Sequence, residues 1–235
     1  MSTRAQFHSD KKPKILIIHN YYQIPGGEDT VVANEKKLLE DNGHEVMLYT
    51  RDNNEIKTMS RLKKLLLPFM TVYNPASARE VKKIIRNEKI DIVHVHNTLN
   101  LISPSVYYTA VRCGVPVVQT VHNFRFICPG ALLHRDGQVC EDCLRKGLMC
   151  AVRYGCYRGS KLQTLLLTVS LLLHRKTGIY RRLSFICLTE FNKQKLLQIN
   201  GRKKIIDPAR VFVKPNFTFE APSETHDSIP DEVIE

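Results

Sequence analysis

The chain has 235 residues, 43% of them hydrophobic and 25% charged, enough to bury a sizeable core and at odds with disorder except at the ends. With 35 Lys and Arg against 23 Asp and Glu, it carries a formal net charge of +12, which points to nucleic acid, anionic lipid or a phosphorylated substrate as partner. Nucleic acid is the unlikely member of that set, because the sequence lacks a helix-turn-helix pattern, the signature of an RNA-binding sheet and zinc-finger Cys/His spacing.

Residues 1–13 read as a disordered lead. They are polar and lack the apolar core of a signal peptide, so the expected setting is cytoplasmic and reducing. Seven cysteines, an odd count, are then not a disulfide framework. The apolar run Ile15-Leu16-Ile17-Ile18 predicts a buried strand, followed by a loop ending in Gly26-Gly27-Glu28. A helix over about 29–42 follows, with Val31, Val32, Glu35, Leu38 and Leu39 at near-helical spacing and Asn42-Gly43 as its stop. A strand feeding a glycine-bearing loop and a helix N-terminus is the opening unit of a doubly wound α/β domain, and it places backbone N–H groups where an anion can sit. Val46-Met47-Leu48-Tyr49-Thr50 is the second strand. The loop lacks the G-x-G-x-x-G spacing of a dinucleotide site, and Thr50-Arg51-Asp52 offers no clear ribose-binding acid.

The run Arg61-Leu62-Lys63-Lys64-Leu65-Leu66-Leu67-Pro68-Phe69 is basic and apolar together. It suits either a helix lying on an anionic membrane surface or one packed on the sheet with its lysines in water. A further helix starts at Pro75-Ala76-Ser77, with Val81, Ile84 and Ile85 as its apolar face. Residues 91–96 and 116–121 are strands with a helical stretch between them. The alternation predicts a mostly parallel, Rossmann-like sheet covered on both faces.

Residues 122–158 break the pattern, being rich in Cys, Arg and Gly without a clear period, and a loop that long is functional or pinned. Cys140-Glu141-Asp142-Cys143 with Cys150 and Cys156 is a candidate thiolate site for structural zinc, with Cys128 upstream. The second pair is spaced more loosely than in a zinc ribbon, which leaves free buried thiols and a redox role open. The apolar run 162–173 with its basic flank is too short to span a bilayer, and a buried helix is favoured over one dipping into the interface. Phe185-Ile186-Cys187-Leu188 is a strand, Thr189-Glu190 opens a helix, and Arg210-Val211-Phe212-Val213 is the last strand. Residues 218–235 read as a linker or tail.

Four places together resemble the N-terminal half of a family 4 glycosyltransferase with the two-domain GT-B architecture. They are Pro25-Gly26-Gly27-Glu28; Asp91-Ile92-Val93-His94-Val95-His96-Asn97; Val121-His122-Asn123; and the run from Leu188-Thr189-Glu190-Phe191 to Val213-Lys214-Pro215-Asn216. The resemblance covers about residues 14–217 and implies one acceptor-side domain with a Cys-rich loop insertion. It implies a retaining transfer from a nucleotide-sugar to a lipid-linked or polysaccharide precursor, with no cofactor required for catalysis. His122 would line the cleft near the transferred sugar as the catalytic residue. Gly26 and Gly27 would let the backbone approach the ligand closely. Glu28 and Asn123 would join them in binding substrate, and Arg125 would meet an anionic acceptor or stand solvated at the surface. His94 and His96 share one strand face, a possible ligand pair by spacing, for which the resemblance favours packing and cleft-edge roles. The nucleotide-sugar is expected on a second, donor-binding domain or chain outside this sequence, so the chain is expected to be incomplete as an enzyme. The expected location is cytoplasmic, with a peripheral place on the inner face of the membrane as the membrane-bound form of that expectation. The alternative is a non-catalytic module that binds an anionic sugar or lipid, or a partner subunit of a membrane-associated assembly.

Overall fold

A computed structural model describes residues 11–24, 26–201 and 203–219. Residues 1–10 of the expected lead, Pro25 of the glycine motif and residues 220–235 of the expected tail lie outside that range. The strands are β1 (Ile15–Tyr21), β2 (Val46–Asp52), β3 (Ile92–Asn97), β4 (Val117–Val121), β5 (His134–Arg135), β6 (Gln138–Val139), β7 (Ser184–Cys187) and β8 (Val211–Val213). The helices are α1 (Gly27–Asp41), α2 (Glu55–Thr58), α3 (Arg61–Val72), α4 (Pro75–Asn87), α5 (Ser105–Arg112), α6 (Asp142–Arg145), α7 (Met149–Tyr154), α8 (Lys161–Lys176) and α9 (Glu190–Leu197).

Six strands form one sheet in the order β2-β1-β3-β4-β7-β8, and every pairing is parallel. The chain turns from β1 to β2 in one direction and then passes to β3 on the other side of β1. The strand order therefore reverses between β1 and β3, and the carboxyl edge there is where such sheets bind ligands. Alternate residues of β1 enter opposite layers, as the two-residue period of a strand requires. Ile15 and Ile17 pack with Val32 of α1 on one face, whereas Leu16 and Ile18 join Val81, Ile85 and Val106 of α4 and α5 on the other. Local signals set the helix starts: Asn74 accepts from the amides of Ala76 and Ser77 to cap α4, and Thr189 caps α9 through Asn192.

Two stretches differ from the sequence expectation. Residues 122–158 are not a structureless loop: a 3₁₀ turn (Phe124–Phe126), the β5-β6 hairpin, α6 and α7 lie within them, all too short to show a period. Leu133, Leu148 and Ala151 are buried there, Glu141 pairs with Lys195 of α9, and Arg135 stacks over Tyr154 at 3.7 Å. The second difference is α8, expected to be buried. It buries Thr164, Leu167, Thr168, Ser170, Leu171 and His174 and turns Leu162, Leu165, Val169, Leu172 and Leu173 outward. The buried hydroxyl of Thr164 is satisfied by backbone, accepting from Tyr157 N and donating to Ser160 O, which removes the usual cost of hiding it. Next to it, α3 has no buried residue, so it is not the sheet-packed helix that was one of its two expected readings.

Candidate functional site

The glycine loop after β1 and the segment after β4 meet at the carboxyl edge of the sheet. Asn123 Nδ2 donates to Glu28 Oε1 at 3.0 Å, joining two motifs 95 positions apart in sequence. The same side chain caps the 3₁₀ turn by accepting from Arg125 N at 3.0 Å, and this fixes its orientation. Glu28, His96, His122, Asn123 and Arg125 line one cavity of about 90 Å³, floored by residues of β4 and walled by Leu167 and Leu171 of α8. Burial raises the Glu28 carboxyl above its ordinary value, with Asn123 and Arg125 opposing the rise. Arg125 donates from its guanidinium to Pro129 O at 2.9 Å, while its Nε is buried without a partner. A partly buried guanidinium with a spare donor is suited to an anionic oxygen.

Gly26 precedes α1 and Gly27 opens it, and neither lines the cavity. A Cβ on either would meet nothing within 4 Å, and Gly26 is extended at φ −133°. The described residues therefore impose no steric need for glycine at either position, whereas a ligand lying against the backbone would. The first turn is organised by Asp29, which accepts from Gly26 N at 3.1 Å and from His19 Nε2 at 2.8 Å.

From the cavity a chain of imidazoles runs into the sheet, from half-buried His122 to buried His96 and His94. His122 Nε2 and His96 Nδ1 are 3.0 Å apart, with the rings stacked at 23°. Burial first, then the neighbouring His96, brings His122 down to about 3. Burial likewise brings His94 down to about 3, so both rings are neutral near pH 7. In the His96–His122 contact one ring nitrogen must then donate and the other accept. His94 Nε2 contacts Thr120 Oγ1 at 2.8 Å. Both β3 histidines face Glu35 of α1, whose Oε2 lies 3.3 Å from His96 Nε2 and 3.5 Å from His94 Nδ1. Burial alone would raise Glu35, but His96, His94 and Lys214 outweigh it and hold the carboxyl at about 2. Lys214 Nζ, 2.7 Å from Oε1, is paired with this carboxylate.

Glu35 and Lys214 were not among the sequence-derived site residues. Their signals were present: a carboxylate placed in the apolar stripe of α1, and a lysine directly before Pro215-Asn216. The cysteines are arranged differently from the expected quartet. All seven are free, and Cys140, Cys143, Cys150 and Cys156 do not converge as a ligand set among the described residues. The thiols of Cys128 and Cys143 interact with each other, which lowers Cys128 and raises Cys143. Cys156 lies beside Cys128 across Gly130, where a Cβ would stand 3.0 Å from Cys156 O.

The sequence profile of Glycosyltransferase Family 4 matches residues 25–217. An uncharacterized 42.6 kDa protein in the cps region of Klebsiella pneumoniae is 31% identical over 120 residues, a match that spans 48% of this chain and 32% of that protein. Among solved structures, S. aureus MnaA with UDP aligns with a TM-score of 0.48 at 16% identity over 87% of this chain and 45% of its own. The UDP-GlcNAc 2-epimerase from Methanocaldococcus jannaschii aligns with a TM-score of 0.42 at 15% identity over 85% of this chain and 45% of its own. The chain thus spans less than half the length of these relatives.

Proposed function

We propose that this chain, which belongs to glycosyltransferase family 4, is the acceptor-binding half of a retaining glycosyltransferase that moves a sugar from a nucleotide-sugar to a lipid-linked or polysaccharide precursor. The observation that carries the reading is the Glu28–Asn123 hydrogen bond. It places the glycine loop beside His122 at the carboxyl edge, next to the β1/β3 reversal where open α/β sheets take ligands. In this reading Asn123 and Glu28 hold acceptor hydroxyls, and Arg125 offers its free Nε–H to an acceptor phosphate. His122, neutral and oriented by His96, donates to or accepts from the sugar being transferred. Positioning of this kind is the main contribution one wall of such a cleft can make. The nucleotide-sugar sits on a facing donor-binding domain or partner chain.

The same reading brings the protein to the cytoplasmic face of a membrane. Leu62, Leu65 and Phe69 of α3 are 68–70% exposed, and α3 packs along α8, whose Leu162, Val169 and Leu172 also face outward. Arg61, Lys63, Lys64, Lys161 and Lys176 flank this surface and are exposed. Apolar residues rimmed by lysine and arginine suit an anionic bilayer, where each basic residue near the surface contributes about 1 kcal/mol. No helix among the described residues is long and apolar enough to cross a membrane, so the proposed contact is peripheral.

The test is reconstitution: the chain, a donor-binding domain or chain, a nucleotide-sugar and a lipid-diphosphate acceptor are combined and transfer is measured. The expected result is transfer that depends on this chain and is lost with His122→Ala. No transfer to any lipid or glycan acceptor would overturn the enzyme reading in favour of a binding module.

A further inference from the structure

We infer that Glu35, His94 and His96 form a binding site for a divalent transition-metal ion on the α1 side of the sheet. Among the described residues, these three are the His, Cys, Asp and Glu side chains whose ligating atoms gather, all within 4.8 Å of one another. Donors bound about 2.0–2.1 Å from a tetrahedral metal stand roughly 3.3 Å apart. The distances from Glu35 Oε2, 3.3 Å to His96 Nε2 and 3.5 Å to His94 Nδ1, match that edge. Neither contact is aligned as a hydrogen bond: Glu35 Oε2 and His96 Nε2 are both buried with no partner. Two facing, unsatisfied, buried polar atoms are costly unless something sits between them.

The outer contacts fit as well. A ligating imidazole usually commits its other nitrogen to a hydrogen bond, which fixes its tautomer. His94 commits Nε2 to Thr120 Oγ1 and His96 commits Nδ1 to His122 Nε2. Glu35 Oε1 accepts from Lys214 Nζ, which leaves Oε2 free to bind through a single oxygen. A gap of about 200 Å³, lined by Glu35, His94 and Lys214 and otherwise by aliphatic side chains, opens beside this set. Two imidazoles and one carboxylate suit zinc, cobalt or nickel better than magnesium or calcium, which prefer all-oxygen shells. Metal on His96 Nε2 places the His96 proton on Nδ1, so His96 donates to His122 Nε2 and the His122 proton stays on Nδ1. The ion would thereby set which nitrogen of His122 is the donor, from outside the cavity.

Titration of the metal-free chain with Co²⁺, read by visible absorption, tests this independently of the glycosyltransferase reading. The expected result is one equivalent bound with the visible bands of a low-coordinate nitrogen and oxygen site, and no sulfur-to-cobalt charge transfer. Glu35→Gln and His94→Gln should each weaken binding by more than about a hundredfold, beyond what loss of an outer partner does. A Cys140→Ser, Cys143→Ser double variant should leave the spectrum unchanged. If His94→Gln does not fold, the near-isosteric Glu35→Gln decides alone. Absence of binding, a thiolate charge-transfer band as the sole signal, or full-strength binding by Glu35→Gln would overturn the inference.

Discussion

Asn123 serves both partners with one amide: its nitrogen donates to Glu28 and its oxygen caps the turn that carries Arg125. Asn123→Ala should therefore lower stability by about 1–2 kcal/mol, measurable by urea denaturation, and weaken acceptor binding more than that loss accounts for. Asn123→Asp is the sharper probe, because it keeps the cap and sets a second carboxylate against Glu28. We expect its stability to stay close to the parent's at low pH and to fall as both carboxylates ionise. At Gly27 the expectation is the reverse. An added methyl meets no described atom, so Gly27→Ala should leave the melting temperature nearly unchanged while acceptor affinity falls. Unchanged affinity would mark the position as a plain strand-to-helix turn.

Among the elements, α8 and its contacts offer a pH handle separate from the cavity. His174 Nε2 donates to Val72 O at the end of α3, and its Nδ1 contacts Tyr108 OH of α5. Burial brings this imidazole from 6.5 down to about 4, with the Val72 carbonyl opposing. Between those values the unfolded chain binds more protons than the folded one. The contribution of His174 is thus complete above pH 6.5 and is lost as pH falls towards 4, at about 1.4 kcal/mol per pH unit. The stability difference between the parent and His174→Gln should shrink over that window; a constant difference would exclude the linkage. On the outer face of the same helices, a Leu65→Glu, Phe69→Glu double variant should lose co-sedimentation with anionic vesicles and keep its melting temperature, since neither side chain is buried.

The elements also show what sequence could and could not reveal. The strands of the parallel sheet were readable because buried strands are continuous apolar runs, α1 because its apolar residues recur at helical spacing up to Asn42-Gly43, and α4 and α9 because their starts carry capping or proline signals. In α8 the leucines suggested burial, yet the packed face mixes Leu167 and Leu171 with Thr164, Thr168 and Ser170, and of these hydroxyls Thr164 is satisfied by the backbone of its own first turn. Glu28, His122, Asn123 and Arg125 were singled out through the family resemblance of motifs at strand ends, and the fold brings them to one cavity. Glu35 was visible only as an oddity in an apolar stripe, and its meeting with His94, His96 and Lys214 depends on how α1 lies across the sheet.

At the scale of the whole molecule, the proposed function makes this chain a single cleft wall. In the proposed function the positive charge would serve both an anionic acceptor and the membrane that carries it, with the acceptor at the carboxyl edge beside the β1/β3 reversal. The central claim, that this wall takes the acceptor and not the nucleotide, is tested most directly by thermal-shift measurements on the chain with lipid-diphosphate acceptors and, separately, nucleotide-sugars. A ligand present at 100 times its dissociation constant stabilises the folded state by about 2.7 kcal/mol. The prediction is a rise in melting temperature with the lipid diphosphates, diminished in Asn123→Ala, and little change with nucleotide-sugars. Strong stabilisation by nucleotide-sugars, with none from lipid diphosphates, would contradict the account.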